Sequence, residues 1–88
     1  MARYKVLVKA VVATEYEAIA ARADRRRILG TIASLERNPR PLRARRLPER
    51  ERQRRLRLGR YRLLYEIDEQ HKIVTVFRIV DRRPENPT

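Results

Sequence analysis

Cysteine is absent from these 88 residues, so neither a disulfide framework nor a thiolate metal site is available. Stability must come from packing or from a partner. With only two glycines there is no glycine-rich phosphate loop. Ser34, the single serine, falls inside a helical pattern, and without a cysteine nucleophile this excludes a hydrolase triad. The single histidine, His71, sits in the turn-like DEQHK and reads as a solvated turn residue, so no metal and no cofactor are expected. Nowhere do about 18 apolar residues follow one another, and MARYKVLVKA opens without a long apolar run. These features argue against a membrane span and a signal peptide. The expectation is one small cytoplasmic domain over residues 1–88 with a modest core.

Positive charge is what the chain has in excess. Lysine and arginine total 23 against 11 acidic residues, and residues 36–62 hold twelve arginines against Glu36, Glu49 and Glu51. That segment alone supplies +9 of the formal +12. Such a field attracts polyanions, with nucleic acid first and an acidic protein segment second.

Residues 3–9 alternate, with Tyr4, Val6 and Val8 on one side and Arg3, Lys5 and Lys9 on the other, as in a half-buried strand. From about 11 to 21 the period becomes helical, with Val12, Tyr16 and Ile19 on one face and Thr14 with Glu17 as a candidate capping box. A second helix is expected from an Asp24 N-cap, with Ile28, Leu29, Ile32 and Leu35 as its stripe and Asn38 followed by Pro39 as its stop. Residues 39–53 read as a basic connecting loop. Three strands follow, at 55–58, 61–67 and 72–80, joined by turns at Gly59 and Arg60 and at 68–71. The fold class is therefore α+β, a β-α-α-β-β-β domain with a helical hairpin on one face of a mostly antiparallel four-stranded sheet. The last strand is apolar on both sides, which places it inside the sheet with both faces at least partly covered.

Parity gives the arginines a place. If Leu56 and Leu58 point to the helices, Arg55 and Arg57 point away, and with Tyr61, Leu63 and Tyr65 on the core side Arg62 joins them. Like charges on adjacent strands repel, so a shared anion is the natural occupant. Arg43, Arg45, Arg46, Arg54 and Arg60, from the basic loop and the strand ends, are candidate RNA-binding residues.

The run LxxNPxP followed by RLRLGRYRLLYEID and VFRIVDRR closely resembles the RelE/ParE superfamily of toxins from bacterial type II toxin–antitoxin modules. Arg57, Gly59, Tyr61, Arg62 and Tyr65 stand as in the family's RxGxYRxxY pattern. The resemblance implies a microbial ribonuclease-like fold, a neutralising antitoxin and, in the RelE branch, metal-free cleavage of messenger RNA on the ribosome by 2′-hydroxyl attack on the adjacent phosphate. It also implies catalytic roles for Arg62, Arg83, Arg57 and Arg55. These fit electrostatic stabilisation, because an arginine with a pKa above about 12 is a poor base. Active RelE-like chains carry a tyrosine or histidine soon after the RR pair, whereas this sequence continues Pro84, Glu85, Asn86, Pro87, Thr88, with Glu85 the only substitute base there. The alternative is a binding toxin without nuclease activity, such as the gyrase-poisoning ParE branch. The doubly apolar last strand and the net charge together predict an antitoxin with an acidic amphipathic segment.

Overall fold

Lys5–Val8 form β1, and the chain turns straight from that strand into a helix because Val12 N donates to Lys9 O at 2.9 Å. The computed structural model describes residues 3–47 and 50–82. Helix α1 covers Ala10–Glu17 and α2 covers Arg22–Ser34. Neither has a side-chain cap, since Lys9 and Ala21 occupy the N-cap positions. Thr14 therefore lies inside α1, where no capping box forms, and Asp24 lies in the first turn of α2, where its carboxylate meets the positive end of the helix. Val12 and Ile19 are buried, as are Ile28 and Ile32 on α2 and Leu35 at its C-cap, spaced i, i+4, i+7. Leu29, expected in the same stripe, is 55% exposed because it stands one position round from Ile28. Helix α2 stops at Ser34 and a turn carries the chain to Asn38 and Pro39.

The sheet has five strands where four were expected. Arg45–Leu47 form β2 and Arg50–Leu58 form a long β3, so much of the expected basic loop is a strand pair. Neither side of residues 45–47 alternates apolar with polar, which is why the pattern hid them. Tyr61–Asp68 form β4 and Ile73–Asp81 form β5, and the strand order is β1-β5-β4-β3-β2. Strands β1 and β5 pair in parallel, and the other pairs are antiparallel.

Both helices lie on one face of this sheet. Leu56, Leu58, Tyr61, Leu63, Tyr65, Ile67, Val74, Val76 and Ile79 meet them, and the buried residues form one cluster. No charged residue is buried in it among the described residues. Gly59 takes a left-handed φ of 63° in the β3–β4 turn, which calls for glycine; a Cβ there would also stand 2.5 Å from Arg27 Nη1, the end of a flexible side chain that could move aside. Strand β5 is internal, as expected, but its register slips opposite Leu64 and Tyr65, leaving Phe77 unpaired as a bulge. The slip moves Ile79 to the core face and Val80 to the outer face, so strict alternation does not run through β5.

Candidate functional site

The outer face of the sheet carries arginines wherever β3 and β4 alternate away from the core. Leu56 and Leu58 are each 2% exposed and turned inward, which fixes Arg55 and Arg57 outward. Arg62 lies between buried Tyr61 and Leu63 and faces Arg57 directly in the ladder. Arg45 on β2 faces Arg55 in the same way. Directly opposed residues bring Cβ atoms to about 5 Å, so the register stacks like charges in two adjacent rows. Arg43, Arg45, Arg55, Arg57 and Arg62 line a common concavity of about 270 Å³. Among the described residues none of these five pairs with a carboxylate.

Arg82, just past β5, completes the group. Its backbone N–H donates to Arg60 O at 2.6 Å, and its side-chain Nε is screened from water without a hydrogen-bond partner. Burial, followed by the charges of Arg57, Arg62 and Arg55, holds its pKa below the usual guanidinium value. A bound anion would relieve each of these costs. Sequence reading assigned this role to Arg83, which lies outside the described residues, as does Glu85. Arg82 was missed because its place follows from the register: Arg62 faces Val80, so two residues on from Val80 the chain returns to the same face, past a bulge that the sequence does not show.

The remaining candidates separate from this group. Arg46 faces Arg54 across the β2–β3 ladder, on the opposite side of the sheet from Arg45 and Arg55. Arg54 joins Arg40, Arg52 and Glu69 around a second concavity, and burial followed by the charges of Arg40 and Arg46 holds its pKa low. Arg60 is turned to Asp81, with hydrogen bonds of 3.2 and 2.8 Å, and lies over the Tyr61 ring at 5.1 Å. It clamps the β3–β4 turn to the end of β5 and does not face the anion concavity. Tyr61 and Tyr65 are packing residues. Tyr65 is fully buried, its hydroxyl donates to Pro39 O at 2.8 Å, and burial pushes its pKa up to about 12. His71 stays in its turn, bonded to Asp68 at 2.9 Å. The bulge sends Arg78 to Glu15, with Nε donating at 2.6 Å. Among the described residues no cluster of three metal-ligating side chains occurs, and no helix is long and apolar enough to cross a membrane.

Rigid strands thus hold a row of guanidinium donors around a space open to solvent. Forked donors of this kind bind the non-bridging oxygens of a phosphate and the charge that grows on them during transfer.

The sequence model of the family described as ParE toxin of type II toxin–antitoxin system, parDE, matches residues 5–85. No curated protein sequence matches the chain. Among solved structures, the chain is similar to the archaeal RelE–RelB complex from Pyrococcus horikoshii at 25% identity and a TM-score of 0.80, covering 94% of this chain and 98% of that one. A RelBE toxin–antitoxin complex from Mycobacterium tuberculosis is 26% identical with a TM-score of 0.63, covering 91% and 99%. The isolated RelE toxin of E. coli shares the fold with a TM-score of 0.77 at 15% identity, covering 94% and 88%.

Proposed function

The chain belongs to the ParE toxin family, within the RelE/ParE superfamily of toxin–antitoxin modules, and we propose that it is an endoribonuclease acting on messenger RNA bound to the ribosome. The observation that carries this reading is the concavity lined by Arg43, Arg45, Arg55, Arg57 and Arg62, with no carboxylate paired to them among the described residues. In the proposed reaction a ribose 2′-oxygen attacks the adjacent phosphorus and the bond to the 5′-oxygen breaks. The products are a 2′,3′-cyclic phosphate and a 5′-hydroxyl. The 2′-hydroxyl proton leaves to a base and a proton reaches the departing 5′-oxygen. Arg57 and Arg62, opposed in the ladder, donate to the non-bridging oxygens, while Arg55 and Arg82 hold the same charge from the flanks. Arg83 retains the role that the family resemblance implies. The arginines stay protonated throughout and transfer no proton.

Antitoxin binding is proposed for the same surface. The structures similar to this chain include toxin–antitoxin complexes, and a net charge of +12 suits an acidic amphipathic partner segment.

A second reading is favoured by the family match itself: a ParE-type toxin that arrests growth by occupying its target, such as gyrase, without cutting RNA. Mapping message ends on ribosomes after induction separates the two. New 5′-hydroxyl ends within reading frames, lost in Arg62→Ala and kept in the exposed α2 variant Arg26→Ala, are expected of the nuclease. Growth arrest with intact messages would move the assignment to the binding toxin.

A further inference from the structure

We infer that the outer sheet face holds a nucleobase subsite beside the arginine rows, built to take a guanine edge; the inference deepens the RNA reading above and rests on it. The next register row of the sheet runs Gln53, Glu66, Thr75, Leu7 across β3, β4, β5 and β1. These four, with Lys9 and Phe77, line a groove of about 540 Å³.

Three features of the groove point to a base. Glu66 is half-buried yet forms no ion pair or hydrogen bond with another described residue, although the chain carries 23 basic residues. A carboxylate there repels phosphate and accepts N–H donors. Phe77, the only phenylalanine, lines the groove because the β5 bulge leaves it unpaired. It supplies an aromatic surface, and single-stranded RNA is read by stacking an unpaired base on such a ring and hydrogen-bonding its edge. Gln53 stands directly opposite Glu66 in the ladder and brings an amide donor beside the carboxylate.

Distance along the strands fits one nucleotide. Gln53 lies two residues before Arg55, so the groove is offset from the nearest arginine row by about 7 Å along the sheet. With a phosphate on Arg55 and Arg45, its nucleotide's base reaches the groove. Of the four bases, guanine alone offers two adjacent N–H donors on its Watson–Crick edge, N1 and N2, next to an acceptor, O6. Glu66 accepts both donors and Gln53 donates to O6. Adenine and cytosine each place a ring-nitrogen acceptor against the carboxylate, and uracil offers a single N–H between two carbonyls.

Fluorescence anisotropy with labelled UUGUU, UUAUU, UUCUU and UUUUU tests the subsite directly. The guanine oligonucleotide is expected to bind roughly 10-fold more tightly than the others, the scale of one bidentate base contact. Glu66→Gln should abolish the preference, and Phe77→Leu should weaken all four oligonucleotides together. Should Glu66→Gln fail to fold by circular dichroism, Gln53→Ala provides the same comparison. Equal affinity for all four sequences, or a preference that survives Glu66→Gln, overturns the inference. So does weakened antitoxin binding by Glu66→Gln with an unchanged RNA profile, which would assign the groove to the antitoxin. A guanine preference in a protein that leaves ribosome-bound message uncut would strike the nuclease reading and leave the subsite standing.

Discussion

Arg62 faces Arg57 across the β3–β4 ladder, and both project from strands whose neighbouring side chains are locked in the core. A donor fixed this way needs no reorganisation when charge develops on a phosphate, and removing one such donor typically costs about 10²- to 10³-fold in rate. Arg62→Ala is therefore expected to lower cleavage of ribosome-bound message by that factor while shifting stability by no more than about 0.5 kcal/mol. Lysine should restore only part of the activity, because it carries the charge without the fork. A folded Arg62→Ala protein that cuts at the wild-type rate would remove the residue from the site. Arg55, Arg57 and Arg62 were legible because strict alternation with leucine and tyrosine leaves their direction no choice. Arg82 was not, because parity cannot be carried from β4 through β5 past a bulge that the sequence does not announce.

Between elements, two joints decide how the strands are held. At the first, Gly59 takes a left-handed φ of 63° with Arg27 packed where a Cβ would go. Gly59→Ala is expected to destabilise the protein by about 1–2 kcal/mol, the usual penalty for that conformation, seen as a lower denaturant midpoint with an unchanged slope. At the second, Glu69 in the β4–β5 turn accepts hydrogen bonds from Tyr4 at 2.9 and 2.8 Å, Arg40 at 2.7 Å and Lys72 at 2.5 Å. It ties the segment before β1, the loop after α2 and its own turn together. The bonds from Lys72, Arg40 and Tyr4 pull its pKa down from 4.5 to about 2. A depressed carboxylate stabilises the fold above its unfolded pKa and loses that contribution as the pH falls towards the folded one. Thermal scans should accordingly show the wild type losing its advantage over Glu69→Gln between pH 4.5 and 2, and parallel curves for the two would contradict the clasp. The turns, residues 55–58 of β3, β4, β5 and the start of α1 were legible from periodicity and apolar runs, whereas β2, the first half of β3, the end of α1 and the start of α2 were not. The N-caps, Lys9 and Ala21, offer no capping side chain, and the helix ends are set by packing on the sheet.

Across the whole molecule, the excess charge is divided between two sides of the β2–β3 ribbon. Arg43, Arg45, Arg55, Arg57, Arg62 and Arg82 gather on the outer face, while Arg40, Arg46, Arg52 and Arg54 gather on the other, close to Asp68 and Glu69. Composition made the excess of positive charge legible, but its division follows from strand register, which places Arg45 with Arg55 and Arg46 with Arg54. The two sides should therefore contribute differently to RNA. Every arginine that neutralises a phosphate releases counterions, so its loss weakens binding to all sequences and flattens the salt dependence, by about 0.7 in logarithmic slope per contact for a single strand. Arg43→Ala and Arg45→Ala, at the rim of the concavity, are expected to lower affinity and slope in this way while leaving the position of the cut unchanged, because phosphate contacts set affinity and carry no base information. Arg46→Ala lies across the ribbon and should leave the slope for a short oligonucleotide unaltered, with any effect confined to ribosome-bound message, where RNA can meet both sides at once. Affinities measured across a salt series on oligonucleotide and on ribosomes, beside cleavage mapping, decide the matter. A cut that moves in the Arg43 or Arg45 variant, or an Arg46 variant that flattens the oligonucleotide slope equally, would show that the two faces act as one.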